Sequence, residues 1–168
     1  MKRYLSWVAW IAAAILLGFL LRRFVVGTTR VAGTSMQDAL QPTDIVLVTK
    51  FDYWFSGPQR GDVVQCRLPE RSATYLKRVV AVPGDTFEIR EGIAYLNGQA
   101  LTEPYAVGTD QCEDFQVRLE EDEYLVLGDN RLESYDSRAE DVGLLSRSDF
   151  IGKARWVIWP FERLHSIA

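Results

Sequence analysis

The sequence predicts a mostly β domain behind one N-terminal membrane-spanning helix, and three observations carry that prediction. Leu5 to Leu21 is a run of 17 residues without a charge. Beyond it the helical period gives way to short apolar and β-branched runs, and these are punctuated by Gly, Pro, Asn and Asp turns. About 140 residues follow the anchor, enough for one sizeable core but not for two independent domains. The expected boundaries are an anchor and juxtamembrane segment over residues 1–30 and a β-rich catalytic domain over 31–168.

Each element has its own warrant. Lys2-Arg3 and Arg22-Arg23 flank the apolar run. At 1.5 Å per residue it makes roughly 25 Å of helix, the short end of a span, with arginines able to snorkel. The run is longer than a signal-peptide core and is followed by arginines instead of a small neutral cleavage region, so it reads as a retained anchor. Lys and Arg nearly balance on its two sides, so charge alone does not orient it. Ile45 to Val48, Asp62 to Cys66 and Tyr75 to Val82 read as strands, the last ended by Pro83-Gly84-Asp85. Phe87 to Arg90 and Ile93 to Leu96 form a hairpin through Glu91-Gly92, and Asn97-Gly98 turns the chain again. Residues 102–122 read as a surface excursion with Phe115-Gln116-Val117 as a short strand. Tyr124 to Leu127 returns to the core. Ile151 to Trp159 is a last strand, with Lys153 and Arg155 alternating against Ala154 and Trp156.

Composition excludes several functions. The net charge is −4, with a pI near 5.1 and no clustered Lys or Arg outside the anchor flanks, so nucleic acid is not expected as a partner. Cys66 and Cys112 form no Cys-x-x-Cys motif, which argues against zinc or thioredoxin-type chemistry; they are either buried thiols or one disulfide. The single histidine, His165, lies four residues from the C-terminus, and no Gly-x-Ser-x-Gly elbow is present, so a Ser-His-Asp arrangement is disfavoured. A serine in the turn Gly33-Thr34-Ser35-Met36, close behind the anchor, would need another base. Lys77, inside the apolar run Tyr75-Leu76-Lys77-Arg78-Val79-Val80, could be desolvated enough to serve. Taken alone, Lys77 reads as a solvent-facing lysine on an edge strand. Arg78 keeps its charge and points to the other face.

Four motifs in order carry a family resemblance: Gly33-Thr34-Ser35-Met36 after an anchor, Arg60-Gly61-Asp62-Val63-Val64, Tyr75 to Val80 leading to Pro83-Gly84-Asp85, and Gly128-Asp129-Asn130-Arg131-x-x-Ser134-x-Asp136-Ser137-Arg138. The chain resembles the type I signal peptidases, membrane-anchored serine proteases of the Ser-Lys type, in their compact single-anchor form. The resemblance implies a signal-peptidase-like antiparallel β-sheet domain, with Ser35 as nucleophile and Lys77 as general base. It further implies Ser134 as the group that orients the lysine, Met36 in the substrate pocket, and Asp129, Asp136 and Arg138 as braces of the site wall. It implies preproteins with signal peptides as substrates, the lipid bilayer as a partner, no cofactor or metal, and a cytoplasmic N-terminus with the domain outside.

Two departures stand out. Gly33 replaces a hydroxyl that some members use for the oxyanion. Asp38-Ala39 replaces the usual Pro-Thr after Ser-Met-x, which removes a rigid turn and adds a charge near the nucleophile, while Pro42-Thr43, two residues past Leu40, is a candidate to compensate. Competing readings are a self-cleaving repressor, disfavoured by the anchor; a conjugation or pilus processing peptidase; and an inactive anchored β-domain that binds exported proteins.

Overall fold

The computed structural model describes residues 2–69, 71, 73–108 and 114–167, with side chains from residue 7 onward. Helix α1, Lys2–Leu20, runs into a π-helical turn, Leu21–Val25. Among the described residues twelve strands follow: β1 Val26–Arg30, β2 Ile45–Thr49, β3 Val63–Arg67, β4 Thr74–Ala81, β5 Thr86–Arg90, β6 Ile93–Leu96, β7 Gln99–Ala100, β8 Phe115–Arg118, β9 Glu123–Leu127, β10 Leu145–Ser146, β11 Phe150–Trp159 and β12 His165–Ser166. The helix side chains from Trp7 to Leu21 are exposed on the outside of the domain. Trp7–Val25 is long and apolar enough to cross a membrane.

The strands pair antiparallel in two sheets. The larger runs β1-β2-β11-β3-β4-β9-β10, with β12 on β11; the smaller runs β7-β6-β5-β8. Glu91-Gly92 and Asn97-Gly98 all have positive φ, the backbone of tight turns whose twist matches that of the strands they join. The small sheet is more than the hairpin expected from sequence. It does not form a separate body, because Phe87 and Ile89 of β5 share one buried cluster with Val80 and Ala81 of β4 and Leu125 and Leu127 of β9.

Two local readings change. Val26–Arg30, taken from sequence as juxtamembrane linker, is paired along its whole length with β2. Its Gly-Thr-Thr-Arg text lacks the apolar residues that mark a core strand, and no residue of this edge strand is fully buried. In β11 the expected alternation fails at Arg155, where a register shift between Ala154 and Trp156 turns Trp156 outward and gives its core position to Val157. Cys66 is a free, buried thiol, and Cys112 lies outside the described residues.

Candidate active site

A cleft of about 460 Å³ opens between the segment from Thr29 to Met36 and the first half of β4. Ser35 and Lys77 both line it, with Met36, Leu76, Glu133 and Tyr135 among the walls. Ser35 sits in a compact turn held by Gln37 N–H donating to Thr34 O at 2.9 Å and Leu40 N–H donating to Met36 O at 2.8 Å. Met36 and Leu40 anchor that turn by burying against Val46, Val48 and Val157. Met36, expected in the pocket, lines the cleft and is at the same time buried in the core.

Lys77 is 1 % exposed. The strand places it opposite Val64 of β3, beside the apolar cluster of Val64, Cys66, Val79 and Val126. Burial is the main cause that lowers its pKa from 10.5, and Arg138 adds to the lowering; Asp136, Cys66 and Asp129 act the other way and do not prevail. Its Nζ donates to Ser134 Oγ at 2.9 Å. A neutral amine that spends a proton on Ser134 keeps its lone pair for another hydroxyl.

The loop after β9 delivers Ser134 and ties it to the nucleophile turn. Asn130 N–H donates to Ser35 O at 3.0 Å, and its side-chain amide reaches Thr34 O at 3.4 Å. Thr34 Oγ1 donates to Glu133 at 2.8 Å, which commits the hydroxyl next to the nucleophile and leaves Gly33 with no side chain to offer. Gly128 is wedged between these parts. A Cβ there would stand 2.5 Å from Ser35 O and overlap the Ser134 hydroxyl, so only glycine fits.

The remaining expected residues brace the wall without entering the cleft. Asp129 receives a two-pronged ion pair from Arg78 at 2.9 Å on both arms, fully buried, and Arg78 also donates to Gly61 O and lies 4.0 Å over the Tyr105 ring. Asp136 accepts from Arg138 Nε at 2.8 Å and from Gly128 N–H at 2.9 Å. Burial alone would raise the Asp136 pKa, but Arg138, the Ser134 hydroxyl and the Gly128 amide outweigh it and hold it below the usual carboxylate range. Asp38 is exposed and is not among the cleft residues, so its charge faces solvent. Its φ is +88°. A proline ring fixes φ near −65°, so the turn here follows a different path from a proline-containing one.

Asn130, Glu133 and Gly128 were not singled out from sequence. Gly128 and Asn130 lie in the quoted motif, but their roles are contacts with residue 35, a partner distant in sequence.

The family described as signal peptidase, peptidase S26, matches residues 4–159. Signal peptidase I of Bacillus licheniformis is 34% identical over 169 residues, covering 95% of this chain and 90% of that protein. Signal peptidase IB of Staphylococcus aureus (strain Mu50) is 33% identical over 179 residues, covering 96% and 92%. A crystal structure of a signal peptidase I from Enterococcus faecalis V583 aligns with a TM-score of 0.49 at 31% identity, covering 57% of this chain and 95% of that one.

Proposed function

The chain belongs to the signal peptidase family, peptidase S26, as a serine endopeptidase of the signal peptidase I type, and from this we propose that Ser35 is its nucleophile and Lys77 its general base. One observation carries the assignment: a lysine amine 1 % exposed, resting on Ser134, in the cleft that also holds Ser35. Neutral Lys77 takes the Ser35 proton as Oγ attacks the scissile carbonyl. The Ser35 N–H stabilises the oxyanion, with its carbonyl side gripped by Asn130. Protonated Lys77 then gives its proton to the leaving amine, which departs as the N-terminus of the mature protein. A water that loses a proton to Lys77 hydrolyses the acyl-enzyme, and Ser35 is regenerated.

The substrate is the signal-peptide segment of an exported preprotein, bound as an extended strand. Pairing of β4 with β9 begins at Arg78, so Thr74 to Lys77 have β3 on one side and the cleft on the other, where a peptide can add to the sheet. The buried Met36 floor and the neighbouring Leu76 favour small apolar side chains there. The N-terminus lies in the cytoplasm and the domain on the outer side of the membrane.

Cleavage of a model preprotein by the full-length protein in detergent tests this. Wild type cuts after a small-x-small site, and Ser35→Ala or Lys77→Ala lowers kcat by about 10²–10⁴ or more. Undiminished cutting by Lys77→Ala would remove lysine as the base.

A further inference from the structure

Away from the cleft, a recess of about 580 Å³ lies where the anchor meets the domain. Its walls are Arg23 and Phe24 from the π-helical turn, Lys50 at the end of β2, Trp54 beyond it, and Asp122 and Arg147 from two loops of the domain. Three cations therefore face one carboxylate. We propose that this recess binds the phosphate of an anionic phospholipid headgroup, a site that rests on the reading of α1 as a retained bilayer anchor.

Depth is the first argument. The uncharged run ends at Leu21 and the membrane-length helix at Val25, and Arg23 and Phe24 are part of the recess wall, so its mouth opens at the level where acyl chains give way to headgroups. Composition is the second. Trp54 and Phe55 project from the turn after β2, Phe55 at 94 % exposure, in the manner of side chains that settle at the membrane interface. The cations are held at the rim by protein contacts, which is the third argument. Lys50 Nζ donates to Arg23 O at 3.1 Å and Arg22 O at 3.5 Å, which caps the end of the anchor helix. An ammonium has three protons, so one remains to point outward. Arg147 spends one guanidinium arm on Tyr53 O at 2.8 Å, while its backbone N–H donates to Asp122 at 3.2 Å. Arginine and lysine so placed match a phosphate diester whose acyl chains run along the apolar surface of α1.

The test is native mass spectrometry of the full-length protein in detergent, titrated with phosphatidylglycerol or phosphatidylcholine of the same acyl chains. Wild type retains phosphatidylglycerol roughly tenfold better. Arg147→Gln, an exposed substitution, loses about fivefold of that preference, and Arg23→Gln/Lys50→Gln/Arg147→Gln abolishes it. The charge-matched Arg67→Gln/Arg90→Gln/Arg118→Gln retains it. Equal retention of the two lipids by wild type, or an unchanged preference in Arg147→Gln and the triple variant, overturns the site. Displacement by millimolar inorganic phosphate would reassign it to a soluble anion and overturn the lipid. Release of the protein from membranes by alkaline carbonate would remove the anchor on which the proposal rests. Preprotein cleavage, measured on the same samples, reports on the peptidase reading independently of lipid retention.

Discussion

Burial holds the Lys77 amine below its ordinary 10.5, so its neutral fraction grows as pH rises through that depressed value. The rate of preprotein cleavage is expected to climb with pH on the acid side and level off before 10.5, and a pH profile of kcat/KM measures it. Ser134→Ala deprives the amine of its 2.9 Å partner and is expected to lower kcat by ~2 kcal/mol, about thirtyfold, with KM little changed. At Asp38 the decisive quantity is φ, +88°. Asp38→Gly is expected to keep activity and add ~1 kcal/mol to stability, because glycine adopts this region without strain. Asp38→Pro cannot adopt it and is expected to disorder the nucleophile turn; activity and thermal melting of the two variants separate the outcomes. Full activity in Asp38→Pro would show that the turn tolerates both paths.

Strand β4 and the loop after β9 carry the wall of the site through the Arg78–Asp129 pair, both side chains buried. Arg78→Met leaves a buried carboxylate uncompensated and is expected to cost ~3–5 kcal/mol, while Arg78→Met/Asp129→Leu recovers much of that loss; urea unfolding midpoints give both values. The elements differ in how far their text reveals them. Ile45 to Val48 and Tyr124 to Leu127 were legible because strands covered on both faces are written in continuous apolar residues, and Tyr75 to Val82 because only Lys77 and Arg78 interrupt its apolar run. Val26–Arg30 was not, since an edge strand with polar residues looks like linker, and Trp156 was misplaced because a bulge leaves no mark in composition. For the candidate site, the ordered motifs singled out Ser35, Lys77 and Ser134, of which Ser35 and Lys77 share one cleft and Ser134 bonds Lys77. Asn130 and Glu133 were not, because their importance lies in touching Ser35 and Thr34 across about a hundred residues of sequence.

For the molecule as a whole, lowering the Lys77 pKa has a thermodynamic signature. Its folded pKa is depressed, so between that value and 10.5 the unfolded chain binds more protons than the folded one. Stability therefore rises with pH through this window, and it is lost as pH falls toward the folded value. Each unit of depression costs ~1.4 kcal/mol below the window. Lys77→Met is expected to be inactive, more stable at neutral pH and flatter in its pH dependence, which thermal melts across pH would register. Sheet order has an outcome of a different kind. Ser35 follows β1 and precedes β2, Lys77 belongs to β4 beside β3, and in the large sheet β2 and β3 are joined only through β11, residues 150–159. The two halves of the proposed catalytic pair thus leave the ribosome well before the strand that joins them, residues 150–159. A nascent copy is in this way expected to stay inert until residues 150–159 have emerged and joined the sheet.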